Sequence, residues 1–368
     1  MSIVTRRARQ RTAPIHAGAA TMKRGHYDDN SSVQRSDIAS SLAYQEQIVR
    51  DMKLHSATTP LVLADFGCGT GGSSNQLMRS ITSAIQQEMP ERSLMIFRND
   101  LQENDFNSVA SQLVPMASQG VCEFLAPGTF YEQVFPANSL HFGTCFAAVH
   151  WMQRVPQVCL PEHLTPEIVH DDRWQAFSAE WQRGWNSFLQ ARSTELAPGG
   201  QMLTSIIART TADETVHGPF DVVQVAAESM VQDGHVNAAD LERFLLPIHR
   251  PTLEETLAPF AGGEQDYHGL TVQICDETEP ECPFWAALER DHNVADYATK
   301  YTGFIRGFSE SSVRSGLFEA QLTRNPSSQL LDCLYERVRQ LNEQQPERFR
   351  LTRTRILLLL QKSSVTAG

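Results

Sequence analysis

Leu61-Val62-Leu63-Ala64-Asp65-Phe66-Gly67-Cys68-Gly69-Thr70-Gly71-Gly72 is the stretch that decides the fold. An apolar run with strand character meets an acid, and four glycines then fall within six residues. The pattern from Ser73 to Met89 predicts a helix. Strand, tight turn and helix in that order form the layout of a nucleotide or cofactor site at the carboxyl end of a parallel strand. Glycine lets the backbone approach a ligand with no Cβ in the way. Gly67, Gly69 and Gly72 also match Gly-x-Gly-x-x-Gly, so a dinucleotide reading stays open here.

Working outward, apolar segments with strand character recur at 61–66, 94–97, 121–125, 140–146, 201–207, 270–275 and 354–360. Helical patterns lie between most of them. This alternation implies an α/β fold with a mainly parallel sheet covered on both faces. Seven strands with the glycine turn after the first suit a Rossmann-like sheet of the methyltransferase type. Pro198-Gly199-Gly200 reads as a helix stop and turn before the strand at 201. Trp174, Phe177, Trp181, Trp185 and Phe188 recur every three or four residues and form one apolar helical face, for which plain packing is the simpler reading. The expected layout is a disordered basic tail over 1–21 and the first part of the sheet domain over 22–156. Cap helices follow over 157–192, 219–262 and 283–345. The sheet continues over 193–218 and 263–282, and 346–368 supplies the final strand and tail. The cap helices would cover the carboxyl edge of the sheet.

A chain of 368 residues can bury a sizeable core without disulfides. Its net charge of −12 argues against a nucleic-acid partner, whose phosphates need a basic surface. A local site can still attract a small anion. The seven cysteines are scattered and lack Cys-x-x-Cys, which reads as reduced thiols in a cytoplasmic protein. There is no His-Glu-x-x-His among the twelve histidines. No apolar run approaches the roughly 18 residues of a membrane span, so no membrane role is expected. The first 27 residues carry six Lys and Arg and no acid, a composition shared by transit peptides and by disordered basic tails.

What separates a dinucleotide site from other uses of the glycine turn lies downstream. Asn99-Asp100-Leu101-Gln102-Glu103-Asn104-Asp105-Phe106-Asn107 follows the second strand, where an acid can accept hydrogen bonds from ribose hydroxyls. Pro127-Gly128-Thr129-Phe130-Tyr131 comes next, and then Val149-His150-Trp151-Met152-Gln153-Arg154-Val155-Pro156. Upstream lie Tyr27, Asn30, Ser31, Ser32, Val33 and Gln34. Later landmarks are Met230-Val231-Gln232-Asp233-Gly234 and Phe244-Leu245-Leu246-Pro247 followed by Pro251. In this order and spacing the chain resembles the SABATH methyltransferases from about Met22 to Lys362. That family moves the methyl group of S-adenosylmethionine onto carboxylates of small acids, or onto ring nitrogens in its caffeine branch.

The resemblance implies S-adenosylmethionine as cofactor, a small carboxylic acid as acceptor and a homodimer. Ser31, Asp65, Gly67, Asp100, Leu101, Thr129 and Phe130 would line the cofactor site, with Phe146 nearby. Asp65 would face the methionine moiety and Asp100 the ribose, with Thr129 and Phe130 on the adenine side. Tyr27 would lie at the methionine end, next to the acceptor. Gln34 and Trp151 would hold the acceptor carboxylate with His150 beside them, and Phe220 would be a pocket aromatic. Each residue also has a plainer reading: turn caps for Asp65 and Asp100, core packing for Trp151, His150 and Phe220, surface exposure for Tyr27 and Gln34.

The chain departs from the family at several points. Gly69-Thr70-Gly71-Gly72-Ser73 replaces the usual Ser-Ser-Gly-Pro-Asn. Ala147 and Ala148 stand where carboxyl-methylating relatives often carry Tyr and Ser, which implies room at the pocket wall. Glu242-Arg243-Phe244-Leu245 loses the Asn of Asp-x-Phe-Asn, so no metal site is expected. A carboxylate with a pKa of about 4 is already ionised at neutral pH, so its methylation needs donors and a dry pocket rather than a base. Methylation of nitrogen or of a phenolic oxygen is the alternative on the same fold, and a phenol would need His150 as base. An NAD-dependent oxidoreductase and a non-catalytic cofactor-binding protein are the more distant readings.

Overall fold

The computed structural model of the chain describes residues 33, 37–38, 41–52, 60–113, 119–158, 160, 164–165, 172–210, 218–261, 266–318 and 329–364. The strands are β1 (Leu61–Phe66), β2 (Leu94–Asp100), β3 (Val121–Pro127), β4 (Leu140–Phe146), β5 (Leu196–Ala208), β6 (Asp266–Tyr267), β7 (Leu270–Thr278) and β8 (Thr354–Lys362). The helices are α1 (Gln45–Met52), α2 (Gly72–Glu88), α3 (Phe106–Gln112), α4 (Asp172–Glu195), α5 (Pro219–Gln232), α6 (Ala238–Arg243), α7 (Leu253–Leu257), α8 (Pro283–Asp291), α9 (Val294–Gly316) and α10 (Gln329–Gln344).

The strands form one sheet in the order β3-β2-β1-β4-β5-β8-β7-β6. Pairings among β1 to β5 are parallel. β8 enters antiparallel between β5 and β7, and β6 pairs antiparallel with β7. The expected mainly parallel α/β sheet is therefore present, but with eight strands rather than seven. The extra strand is β6, two residues long and joined to β7 by a hairpin at His268 (φ 52°) and Gly269 (φ 83°). Positive φ at both loop residues is the geometry that matches the twist of paired strands.

The run Ile356 to Leu360 is fully buried in β8, which explains its unbroken apolar character: both faces of this inner strand are covered. Pro198-Gly199-Gly200 does not precede the strand as expected. α4 ends at Glu195, β5 starts at Leu196, and the triplet sits in a bulge where the register moves from Leu140↔Leu196 to Phe142↔Gln201.

Helices cover both faces. Leu77, Met78, Ile81 and Ile85 of α2 pack with α1 on one face. The aromatic stripe of α4 packs on the other, against Phe66, Phe135 and Leu358. That stripe is buried, and two of its indoles are satisfied: Trp181 Nε1 donates to Val149 O (3.1 Å) and Trp185 Nε1 to Thr256 O (3.0 Å). α4 thus joins the core of the sheet. A separate apolar cluster unites α5, α6, α8, α9 and α10 as a helical layer. Among the described residues no helix is long and apolar enough to cross a membrane.

Candidate active site

β1 has β2 on one side and β4 on the other, so the chain order reverses there. A crevice opens outside the carboxyl ends of the strands at such a point. The glycine turn lies in it. Gly67 has φ 80°, and a Cβ there would stand 2.5 Å from the Cβ of Ala148 and 3.5 Å from the Phe130 ring. Both the left-handed backbone and the close approach demand glycine.

Three loops are laced together at this edge. The backbone N–H groups of Gly67 and Cys68 donate to Asn99 O at 2.9 and 3.0 Å. Asp100 accepts from Gly69 N (2.7 Å) and from its own neighbour Leu101 N (2.8 Å). Asn104 Nδ2 donates to Gly69 O (2.7 Å), while Asn99 Nδ2 donates to Ala126 O (2.7 Å) and Gly128 O (2.9 Å). The Asn-Asp-Leu run therefore shapes the glycine turn as well as offering a carboxylate.

Asp65 and Asp100 bring a buried and a half-buried carboxyl close together. Burial raises the Asp65 carboxyl, opposed by hydrogen bonds from Ser74 and Thr144 and by the charge of Arg98. Thr144 Oγ1 donates to Asp65 Oδ1 at 2.5 Å. Burial pushes Asp100 up to about 6, against the pull of the Gly69 and Leu101 N–H groups, and the Asp65 charge pushes the same way as burial. Two acids held this way suit a cationic or hydroxyl-rich ligand, which would compensate them.

The loop after β3 carries Thr129 and Phe130. Its backbone is pinned by a buried ion pair on α4, a contribution with no signature in the sequence. Arg192 donates to Phe130 O (2.7 Å), Glu132 O (3.0 Å) and Glu195 (2.7 Å), and Glu195 accepts from Phe135 N (2.9 Å). The Phe130 ring lies 4.7 Å from Tyr131 and 6.0 Å from Phe188. Phe146 ends β4 two residues beyond Thr144 and packs against the cluster on the α2 face.

His150, Trp151 and Phe220 meet in one pocket, together with Val33, Ala147, Ile207, Ile248, Arg250, Phe304, Phe308, Leu351 and Arg353. It lies between the ends of β4 and β5 and the helical layer, so the cap stands over the sheet's carboxyl edge. The backbone of 149–152 is held firmly. Tyr131 Oη sits 3.2 Å from Val149 O and 2.5 Å from Trp151 O, Met152 N donates to Pro247 O (2.7 Å), and His249 N donates to His150 O (3.0 Å). Ala147 has φ 49°, a left-handed backbone conformation that is uncommon for a residue with a Cβ. Ala147 lines the pocket, but Ala148 instead packs against Gly67, so only one of the two alanines widens the wall. That same contact joins the glycine turn to the pocket.

Burial drives the His150 imidazole down to about 3, and the nearby Arg250 charge pushes the same way. The ring is neutral at physiological pH, and its Nδ1 has no hydrogen-bond partner among the described residues. Arg250 and Arg353 are buried in the pocket wall, and Arg353 is clamped by both carboxylate oxygens of Asp37 at 2.8 Å. No sequence signal points to these guanidiniums: Arg250 stands beside a landmark of spacing and Arg353 just before the final strand. Tyr27, Ser31 and Gln34 lie outside the described residues, as does the Ser73 side chain. Val33, beside Gln34, is buried against the pocket.

The segment supplying Ile248 and Arg250 is anchored by a capping box at α7. Thr252 Oγ1 accepts from Glu255 N (3.1 Å) and Glu255 accepts from Thr252 N (2.9 Å). Thr252→Ala is expected to lower stability by about 1 kcal/mol, read as a fall in the denaturant midpoint at constant slope.

A family model described as SAM dependent carboxyl methyltransferase matches residues 18–363. One relative is the probable jasmonic acid carboxyl methyltransferase 2 of Theobroma cacao, 26% identical over 256 residues, covering 62% of this chain and 69% of the relative. The loganic acid O-methyltransferase of Catharanthus roseus is 29% identical over 277 residues, covering 66% of this chain and 72% of the relative. Among solved structures, a loganic acid methyltransferase with SAH shares the fold, with a TM-score of 0.73 at 22% identity over 93% of this chain and 98% of that one. With the family's motifs spread over the sheet, the glycine turn and the cap, the chain belongs to the SABATH family and is an S-adenosylmethionine-dependent carboxyl methyltransferase.

Proposed function

We propose that the acceptor is a small aromatic acid, esterified at its carboxylate by in-line displacement with no general base. The observation that carries this reading is the state of His150. A ring driven to about 3 is too weak a base to take the proton of a phenol, whose pKa is about 10. An acceptor that arrives ionised fits such a site. The aromatic walls of Trp151, Phe220, Phe304 and Phe308 suit a ring. Arg250 adds positive charge to the pocket of a chain whose net charge is −12, which favours entry of an anion.

S-adenosylmethionine, when bound, supplies an activated sulfonium methyl. The residues present fit it. Asp65 offers a buried carboxylate to the methionine ammonium, and each Asp100 oxygen keeps a lone pair for a ribose hydroxyl. Thr129 and Phe130 would border the adenine, with Ser31, Leu101 and Phe146 alongside. Gln34 and the Trp151 indole N–H would orient the acceptor carboxylate without neutralising it, and Tyr27 would close the methionine end. A neutral His150 adds a polar contact but no charge.

The test is a screen of small acids with isotopically labelled cofactor, reading methyl ester by mass spectrometry. Transfer confined to phenols or amines would overturn the reading. Activity is also expected to survive EDTA. Leu245 packs beside the sheet-side cluster and offers no oxygen to a hard cation. Loss on chelation with recovery in magnesium would contradict this. A homodimer follows from the family resemblance and is checked by sedimentation. The described cysteines are all free thiols, which supports a cytoplasmic site of action.

A further inference from the structure

Arg98 is an unusual residue for the middle of a parallel sheet. It is 1% exposed and lies on β2 directly opposite Asp65 of β1 in the strand register. Leu94 and Ile96 precede it at alternate positions on the face covered by α2, as Leu61 and Leu63 precede Asp65. Both charged residues therefore sit under the first turn of α2. Ser74, in that turn, joins them. Arg98 donates to Ser74 Oγ at 2.9 Å and to Ser74 O at 3.3 Å. The Ser74 hydroxyl is hydrogen-bonded in turn to Asp65. On its far side Arg98 is held by Glu123 of β3 at 2.6 and 3.1 Å.

The direction of this chain of hydrogen bonds is set by chemistry. A guanidinium can only donate. Ser74 Oγ must accept from Arg98, and its one proton is then directed to Asp65. The ordered chain runs from Arg98 through Ser74 to the carboxylate. We propose that Arg98 is a positioning residue for cofactor binding, acting through Ser74 to hold Asp65 as an oriented acceptor for the methionine ammonium. This rests on the reading of Asp65 given above.

The other titratable groups facing Asp65 are Asp100 at the end of β2, Cys68 in the glycine turn and Cys145 on β4. Burial pushes both thiols up, so they stay neutral near pH 7. Asp100 titrates with or without Arg98. Removing Arg98 takes away a lowering influence on Asp65, so its carboxyl rises further and ionises only at higher pH. Cofactor affinity should then fall as pH drops, starting from a higher pH than in the wild type.

Binding of S-adenosylhomocysteine, which keeps the ammonium, is measured by calorimetry from about pH 5.5 to about pH 8.5. The variants are Arg98→Met/Glu123→Gln, which leaves no unpaired buried acid, Ser74→Ala, Arg98→Lys and Asp65→Asn. For the Arg98→Met double variant, affinity should drop about tenfold or more near the acid end and recover toward the alkaline end. Ser74→Ala should show the same trend, weaker, and Arg98→Lys should restore most of the acid-end affinity. A loss equal at every pH, or no loss, would overturn the proposal and leave Arg98 as packing. Wild-type affinity in Asp65→Asn would overturn the reading of Asp65 itself, and the relay with it.

Discussion

Asp100→Ala is expected to raise the dissociation constant for S-adenosylmethionine about 30- to 150-fold, the equivalent of about 2–3 kcal/mol for lost hydrogen bonds to a charged acceptor. Two losses combine. On the proposed reading the ribose hydroxyls lose their acceptor, and Gly69 N–H and Leu101 N–H lose the carboxylate that shapes the glycine turn. The wild-type protein should show the related pH effect. Burial holds the Asp100 carboxyl near 6, so its ionised form is dominant above that pH and is lost as pH falls through it. Cofactor affinity should therefore weaken below about pH 6 and level off above about pH 7. Calorimetry on both proteins measures these effects. Unchanged affinity in the variant would remove Asp100 from the cofactor site.

The framework of the candidate site was legible in the sequence because the edge that carries the glycine turn obeys local rules. The strand, acid and glycine turn at 61–72 is one continuous motif, and Asn99 to Asn107 reads directly as a strand end followed by a turn. The segment 354–360 likewise reads as a strand, and its unbroken apolar run matches the inner position of β8. What stayed illegible depends on distant contacts. β6 is two residues long, too short for any periodicity, and its hairpin turn is His-Gly rather than the more telling Asn-Gly. The bulge at Pro198 to Gly200 mimics a helix stop, because the same residues serve both purposes. α4 shows one apolar face in the sequence, but periodicity cannot say whether that face meets a sheet or a cap. The roles of Arg98, Arg192 and Arg353 leave no mark in the sequence, where an arginine reads as a solvated charge. Their acidic partners are at separations in sequence from three residues to several hundred. Buried ion pairs of this sort leave no local trace, yet here they set the loops and carboxylates of the site.

On the acceptor side, Trp151→Phe keeps an aromatic wall and removes the indole donor. A hydrogen bond to a charged group is worth about 1.5–3 kcal/mol, so kcat/KM should fall about 10- to 100-fold. Cofactor binding should change little, since Trp151 lines the acceptor pocket with Phe220 and Phe308 rather than the glycine turn. His150→Ala should cost less. The ring is neutral across the physiological range, and an ionised acid needs no proton removed. The pH profile sharpens the comparison. His150 is uncharged above about 3, and an acceptor carboxylate is ionised above about 4. Neither His150 nor an acceptor carboxylate then changes charge between about pH 7 and about pH 9, so kcat should be flat there in the wild type and in both variants. A phenolic acceptor would behave otherwise: its rate would climb with pH as the hydroxyl ionises, and loss of the His150 imidazole would matter most at the low end. A Trp151→Phe enzyme of wild-type efficiency, beside an inactive His150→Ala enzyme with a rising pH profile, would overturn the assignment of the carboxylate grip to Trp151.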